Sequence, residues 1–220
     1  MGKLENISEA IDSLGMTAWG MAPCAHDGFT CSASMYLAFR LAREADPLAG
    51  GDYDEEAFHQ AIIEAKRRGR DMIARLDGVL EREGVRHRTI PSGQDPDKLE
   101  AAFSKKRAAV LAGLGWIGKC TLLVTREHGP RVGLFTVLMD LEPPPPPPLA
   151  QAACGACTVC VEACPEGFLS GAPWAEGLQR GSMIDAFSCS RRMELLGEPL
   201  GRKHSCGLCL LACPLGGAAA

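Results

Sequence analysis

Apolar residues recur at helical spacing from the start of the chain. Leu4, Ile7, Ile11 and Leu14 share one face, which predicts a helix over residues 4–14. Residues 16–21 read as a short strand and residues 30–44 as a helix. A long helical pattern runs over 54–83, with Phe58, Ile62, Ile63, Met72, Ile73, Leu76 and Leu80 as core positions. Gly69 and Gly78 interrupt it, each costing about 1 kcal/mol against alanine. A strand is expected at 85–90 and a helix at 97–112. The period then changes. Residues 121–125 and 132–139 are rich in β-formers and flank Glu127-His128-Gly129-Pro130, a turn signal, so they read as a hairpin or two neighbouring strands.

Prolines fill positions 143–148. Proline fixes φ and lacks an amide donor, so this run is expected to be a stiff extended spacer. It divides the sequence into an α+β domain at 1–142, a linker at 143–150 and a cysteine-rich module at 151–220.

Composition narrows the class without naming a chemistry. Apolar residues make up 46% and charged residues 23%, as in a globular protein. The net charge of −4 gives no basic surface for nucleic acid. No apolar run reaches the roughly 20 residues that span a bilayer, and the polar first 15 residues lack a secretory core. A cytoplasmic location without membrane attachment is expected.

The cysteines change the picture. Of 11 in the chain, 8 lie after residue 150. The first group is Cys154-x2-Cys157-x2-Cys160-x3-Cys164-Pro165, the bacterial ferredoxin run whose fourth cysteine serves the other cluster. The second is Cys206-x2-Cys209-x3-Cys213-Pro214, one ligand short, and Cys189 is the remaining cysteine of the region. Three thiolates on a tight loop can reach three irons of one cubane, and the x3 step with proline directs the next thiolate away. The reading is two 4Fe–4S clusters. Cys154, Cys157, Cys160 and Cys213 would hold one, and Cys164, Cys189, Cys206 and Cys209 the other. Zinc in Cys-x2-Cys pairs is the competing assignment; the two Cys-Pro endings and the x2-x2-x3 rhythm favour clusters.

Gly113-Leu-Gly115-Trp-Ile-Gly118-Lys119-Cys120 matches a dinucleotide fingerprint and nearly a P-loop, but Cys120 stands where a P-loop needs Ser or Thr. Both motifs need a strand before and a helix after, and the order here is reversed. Trp116 could stack on a ring system or pack in the core. Cys24, His26 and Cys31 form a looser group, expected to be structural. His204 could hydrogen-bond a cluster sulfide.

The glycine loop, the Thr-Leu-Leu-Val-Thr run after it, Val-Leu-Met-Asp140 and the order of the eight cysteines together resemble the epoxyqueuosine reductases and the related corrinoid reductive dehalogenases. The resemblance covers about residues 107–214. It implies a nitroreductase-like α+β domain of the cobalamin-binding type followed by a small ferredoxin-like double 4Fe–4S module. It also implies an oxidoreductase whose clusters deliver electrons to cobalamin, with Gly113, Gly115, Trp116, Gly118, Lys119 and Cys120 as corrinoid contacts. A low-potential electron donor, and a small-molecule substrate or corrinoid protein, would be its partners; a carrier or reductive activator without its own substrate is the alternative. The chain departs from the family at Cys120. The family's D-x-x-P-x-x-E-R stretch, with its proton-donating Asp, has no match, since Ser104-Lys-Lys-Arg107 stands beside the loop. No catalytic residue is assigned, and without the family's helical-repeat extension tRNA is not the expected substrate.

Overall fold

The computed structural model describes residues 2–93 and 95–216. In chain order its main elements are α1 (Lys3–Ser13), β1 (Ala18–His26), β2 (Phe29–Ala38), α2 (Glu55–Arg82), β3 (His87–Thr89), α3 (Lys105–Leu111), β4 (Trp116–Ile117), β5 (Leu123–Val124), β6 (Val132–Met139), α4 (Val159–Glu162), α5 (Ala186–Gly197) and α6 (Leu208–Leu211). Contacts group these into two compact units that do not follow linear order. The first comprises residues up to 38, Ile63–Gly115 and Val132–Gln151. The second comprises Phe39–Ile62, Trp116–Arg131 and the residues from 152 onward.

The first unit is built on an antiparallel sheet in the order β1-β2-β6-β3. Asp27 and Gly28, both at positive φ, close the β1–β2 hairpin, as the right-handed strand twist favours for a two-residue loop. One face of the sheet carries Cys31, Ala33, Met35, Val137 and Met139. It packs with Ile7 and Ile11 of α1 and Ile73, Leu76 and Leu80 of α2. The opposite face of β2 is also buried at Ser32 and Ser34, and α3 lies against β1, β2 and β6.

That double burial overturns the helix expected at 30–44. A strand covered on both faces loses polar–apolar alternation, and its Ser, Ala, Cys and Met residues carry no strong strand signature. The helix expected at 97–112 is confined to Lys105–Leu111. Leu99 sits at positive φ, which a non-glycine residue does not sustain in a helix, and Ser104 caps the helix by accepting from the Arg107 amide at 3.2 Å. The 54–83 expectation holds as α2, where Phe58, Ile73, Leu76 and Leu80 are buried but Ile63 is 44% exposed. Neighbouring residues on a helix point about 100° apart, so Ile62 and Ile63 cannot both face inward. Gly69 is explained by packing, since a Cβ there would lie 1.9 Å from Cζ of Phe135.

The two β-rich runs do not pair with each other. β5 pairs back onto β4, while β6 joins the sheet beside β2 and β3. The turn signal between them is used locally: Thr125 and Gly129 exchange backbone hydrogen bonds at 2.9 and 3.0 Å. Among the described residues no helix is long and apolar enough to cross a membrane.

Candidate metal centre

The second unit contains the cysteine-rich segment, and two other stretches of chain are bolted to it. The start of α2 meets the second cysteine loop. Tyr53 Oη donates to the Cys206 carbonyl at 2.6 Å, His59 Nδ1 lies 2.8 Å from Ser205 Oγ, and the Ser205 amide donates to Glu55 at 2.6 Å. Arg202 reaches both Glu55 oxygens at 2.8 Å and Glu56 at 2.6 Å. Arg202 and the Ser205 amide hold the Glu55 carboxyl down to about 2, the Arg202 hydrogen bond contributing most. Gly207, at positive φ, leaves room for the Phe58 ring; a Cβ there would lie 2.0 Å from Phe58 Cε1.

Arg131, 2% exposed, makes a bidentate pair with Asp46 at 2.6 and 2.8 Å and donates to the Leu211 carbonyl at 3.1 Å. It joins the end of the 116–131 segment and the turn at 46 to the helix between Cys209 and Cys213. None of these contacts has a short-range sequence signal, because each partner is distant along the chain.

Burial pushes the Cys213 thiol up, and Cys160, Cys154 and Cys157 add to this by proximity. Burial likewise raises Cys189, with Cys206 and Cys164 as its cysteine neighbours. Cys209 is pushed up to about 12 by burial, with Cys206, Cys189, Cys160 and Cys164, in that order, adding to it. Thiols gathered this way resist ionisation unless a cationic centre takes up the charge. Cys160 moves the other way: a hydrogen bond from buried Cys120 lowers its thiol.

Donors are already aimed at the sulfurs. The Phe168 amide donates to Cys164 Sγ at 3.4 Å, the Trp116 indole to Cys154 Sγ at 3.4 Å and Arg192 Nη1 to Cys206 Sγ at 3.7 Å. Buried His204 Nδ1, two residues before Cys206, has no hydrogen-bond partner among the described residues. Among the described residues, no three His, Cys, Asp or Glu side chains converge as the ligands of a single metal ion would.

The glycine loop divides between the units. Gly113, at positive φ, lies in the first, where a Cβ would meet Pro147 at 2.8 Å; Gly115 belongs there too. Trp116, Gly118, Lys119 and Cys120 belong to the second. Lys119 Nζ donates to the carbonyls of Gly155 at 2.8 Å and Cys157 at 3.1 Å. The loop opens into the β4–β5 hairpin rather than a helix, so no helix N-terminus is available for a nucleotide phosphate.

Cys31 is a core residue under α1 and α2, while Cys24 and His26 line a cavity of about 530 Å³ with Phe103, Ser104 and Arg107. Asp97 and Glu100 lie in the irregular segment before α3.

An α+β protein of the epoxyqueuosine-reductase-like fold is what this architecture defines. An epoxyqueuosine reductase structure with a tRNA-Tyr epoxyqueuosine-modified stem loop aligns with TM-score 0.64 at 18% identity, covering 97% of this chain and 65% of that one. The enzyme from Streptococcus thermophilus aligns with TM-score 0.65 at 17% identity, covering 99% and 66%. A catabolic reductive dehalogenase bound to 3-bromo-4-hydroxybenzoic acid aligns with TM-score 0.57 at 19% identity, covering 76% and 25%. In sequence the chain is similar to curated epoxyqueuosine reductases. It is 32% identical to that of Francisella cf. novicida over 52% of this chain and 32% of the relative. It is 31% identical to that of Burkholderia pseudomallei over 81% of this chain and 44% of the relative. The chain spans less than half the length of the curated relatives it matches. No protein-family model matches it.

Proposed function

We propose that this chain is an epoxyqueuosine-reductase-like iron–sulfur oxidoreductase carrying two 4Fe–4S clusters. Cys154, Cys157, Cys160 and Cys213 would ligate the first, and Cys164, Cys189, Cys206 and Cys209 the second. The observation that carries the reading is that N–H donors of the fold face the sulfurs of Cys154, Cys164 and Cys206, cysteines that stand at the spacing of ferredoxin ligands. The donors fit the group. Eight soft thiolates are supplied, Phe168, Trp116 and Arg192 already donate to three of the sulfurs, and His204 Nδ1 is left without a partner beside Cys206. Such clusters would supply one-electron transfer; this chain's residues position their sulfurs and tune their charge.

A corrinoid at the 113–119 loop is the second part of the proposal, supported by the shared fold and the retained glycines. Bound there, cobalamin would supply a cobalt centre for the delivered electrons. Trp116 and Lys119, however, are committed to the first cysteine loop, leaving fewer side chains to hold a ring. This favours the alternative within the proposal, an electron carrier or an activator that reduces the corrinoid of another protein. An unidentified low-potential donor and either a small-molecule substrate or a corrinoid protein complete the reading.

Anaerobic loading with iron and sulfide tests it. About 8 irons per chain are expected, and Cys189→Ser should hold about 4 in a stable cubane. A wild-type protein that takes up zinc and no iron refutes the cluster reading. Adding cobalamin to the loaded chain then separates the two branches, with stoichiometric binding supporting an enzyme and no binding supporting a carrier.

A further inference from the structure

We infer that Trp116 and Lys119 are positioning residues of the first cysteine loop, setting the reduction potential of the cluster bound there. The inference rests on the two-cluster reading and goes beyond it. It gives these side chains a role at the sulfurs, where resemblance alone assigns them to a corrinoid.

Two contacts from one short segment meet one turn. The turn is closed by the Cys157 amide donating to the Cys154 carbonyl at 2.8 Å. The indole N–H of Trp116 donates to Cys154 Sγ at 3.4 Å, from a ring that is 2% exposed. The Lys119 ammonium donates to both the Gly155 and the Cys157 carbonyls, at 2.8 and 3.1 Å, which places its charge on the loop carrying two ligands.

Gly118, between them, has no space for a side chain. A Cβ there would lie 2.6 Å from Val124 Cγ2, 3.3 Å from Cys120 Sγ and 3.6 Å from Cys154 Sγ. The third glycine of the motif is therefore required by a sulfur and a hairpin packed against it. All of these residues belong to the same unit.

The electrostatic direction follows. Reduction adds one negative charge to a cluster and its thiolates. A donor to a ligand sulfur and a nearby fixed cation stabilise that added charge. Water screens the buried Trp116 donor little, and the more exposed Lys119 contacts more. Both groups therefore raise the potential of the first cluster relative to the same site without them. The second cluster has a different set, Arg192 on Cys206 Sγ and the Phe168 amide on Cys164 Sγ, and should not follow.

The test is a redox titration of the anaerobically loaded full chain, followed by electron paramagnetic resonance, on wild type, Trp116→Phe, Lys119→Met and Lys119→Arg. Iron is counted first. Wild-type protein without iron overturns the parent reading and the inference with it.

With iron at the wild-type level, Trp116→Phe and Lys119→Met are each expected to lower one of the two potentials. The expected shift is about tenfold in the reduction equilibrium, about 59 mV for one electron. Lys119→Arg should restore the wild-type value, because it keeps the charge. Both potentials unchanged at full iron, or both moved equally, overturns the inference. Variants that lose iron and are not rescued by arginine also overturn it, since that result marks a purely structural role.

Discussion

Replacing Arg131 by methionine should destabilise the protein by about 3–5 kcal/mol, the range for breaking a buried ion pair by removing one partner. The structure supports the upper part of that range. The guanidinium is 2% exposed and Asp46 8% exposed, and three hydrogen bonds are lost together, two to the carboxylate and one to the Leu211 carbonyl. Burial alone would raise the Asp46 carboxyl. Arg131 and the Leu48 amide instead hold it below its usual range, so without Arg131 the buried charge is left with backbone donors only. For a chain of this length, about 2–4 °C per kcal/mol makes the expected fall in melting temperature about 6–20 °C. Thermal unfolding of iron-loaded wild type, R131M and the double variant R131M/D46L is the assay. The double variant should recover much of the loss, because an apolar pair in the same space has no stranded charge. A single-variant loss below about 1 kcal/mol, the scale of an exposed pair, would refute the reasoning that this pair is desolvated and ties the cysteine module together.

Gly207→Ala should cost about 2–4 kcal/mol, combining positive φ with the clash against Phe58, and iron should be lost selectively from the cluster that includes Cys206 and Cys209; full iron with unchanged melting would contradict the packing described. Gly69→Ala should lower stability by about 1–3 kcal/mol through overpacking against Phe135, and Phe135→Leu in the same chain should restore it, as read by denaturant midpoints. The Glu55 carboxyl, held at about 2 by Arg202 and the Ser205 amide, lies below its unfolded value of about 4.3. Its contribution is therefore complete above about pH 4.3 and is lost as pH falls towards 2; Glu55→Gln should flatten the melting curve against pH across that window, and an unaltered acid slope would argue against the contact.

Local chemistry was readable in the sequence. The helices at Lys3–Ser13 and Glu55–Arg82 follow from apolar residues recurring every three or four positions. Seven of the eight cysteines after residue 150 stand in two motifs with the spacing that cluster ligands on tight loops have. The reversed order of elements around the glycine loop also sufficed to set aside a nucleotide site, and the structure supports that with a hairpin in place of a helix.

Three-dimensional packing decided the rest. The stretch that forms β2 reads as a helix in the sequence, and only the covering of both its faces makes it a strand. The run at 121–125 turns back to Trp116 and Ile117, while 132–139 joins a sheet between β2, at Phe29–Ala38, and β3, at His87–Thr89, and no local pattern encodes such a choice of partner. The tie of Arg131 to Asp46 and the grip of Tyr53, Glu55 and Phe58 on the second cysteine loop likewise come from chain segments far apart in sequence. Hydrogen-bond direction and burial are properties of the folded arrangement. Spacing along the chain therefore picks out the cysteines, and tertiary contact determined which donors face their sulfurs.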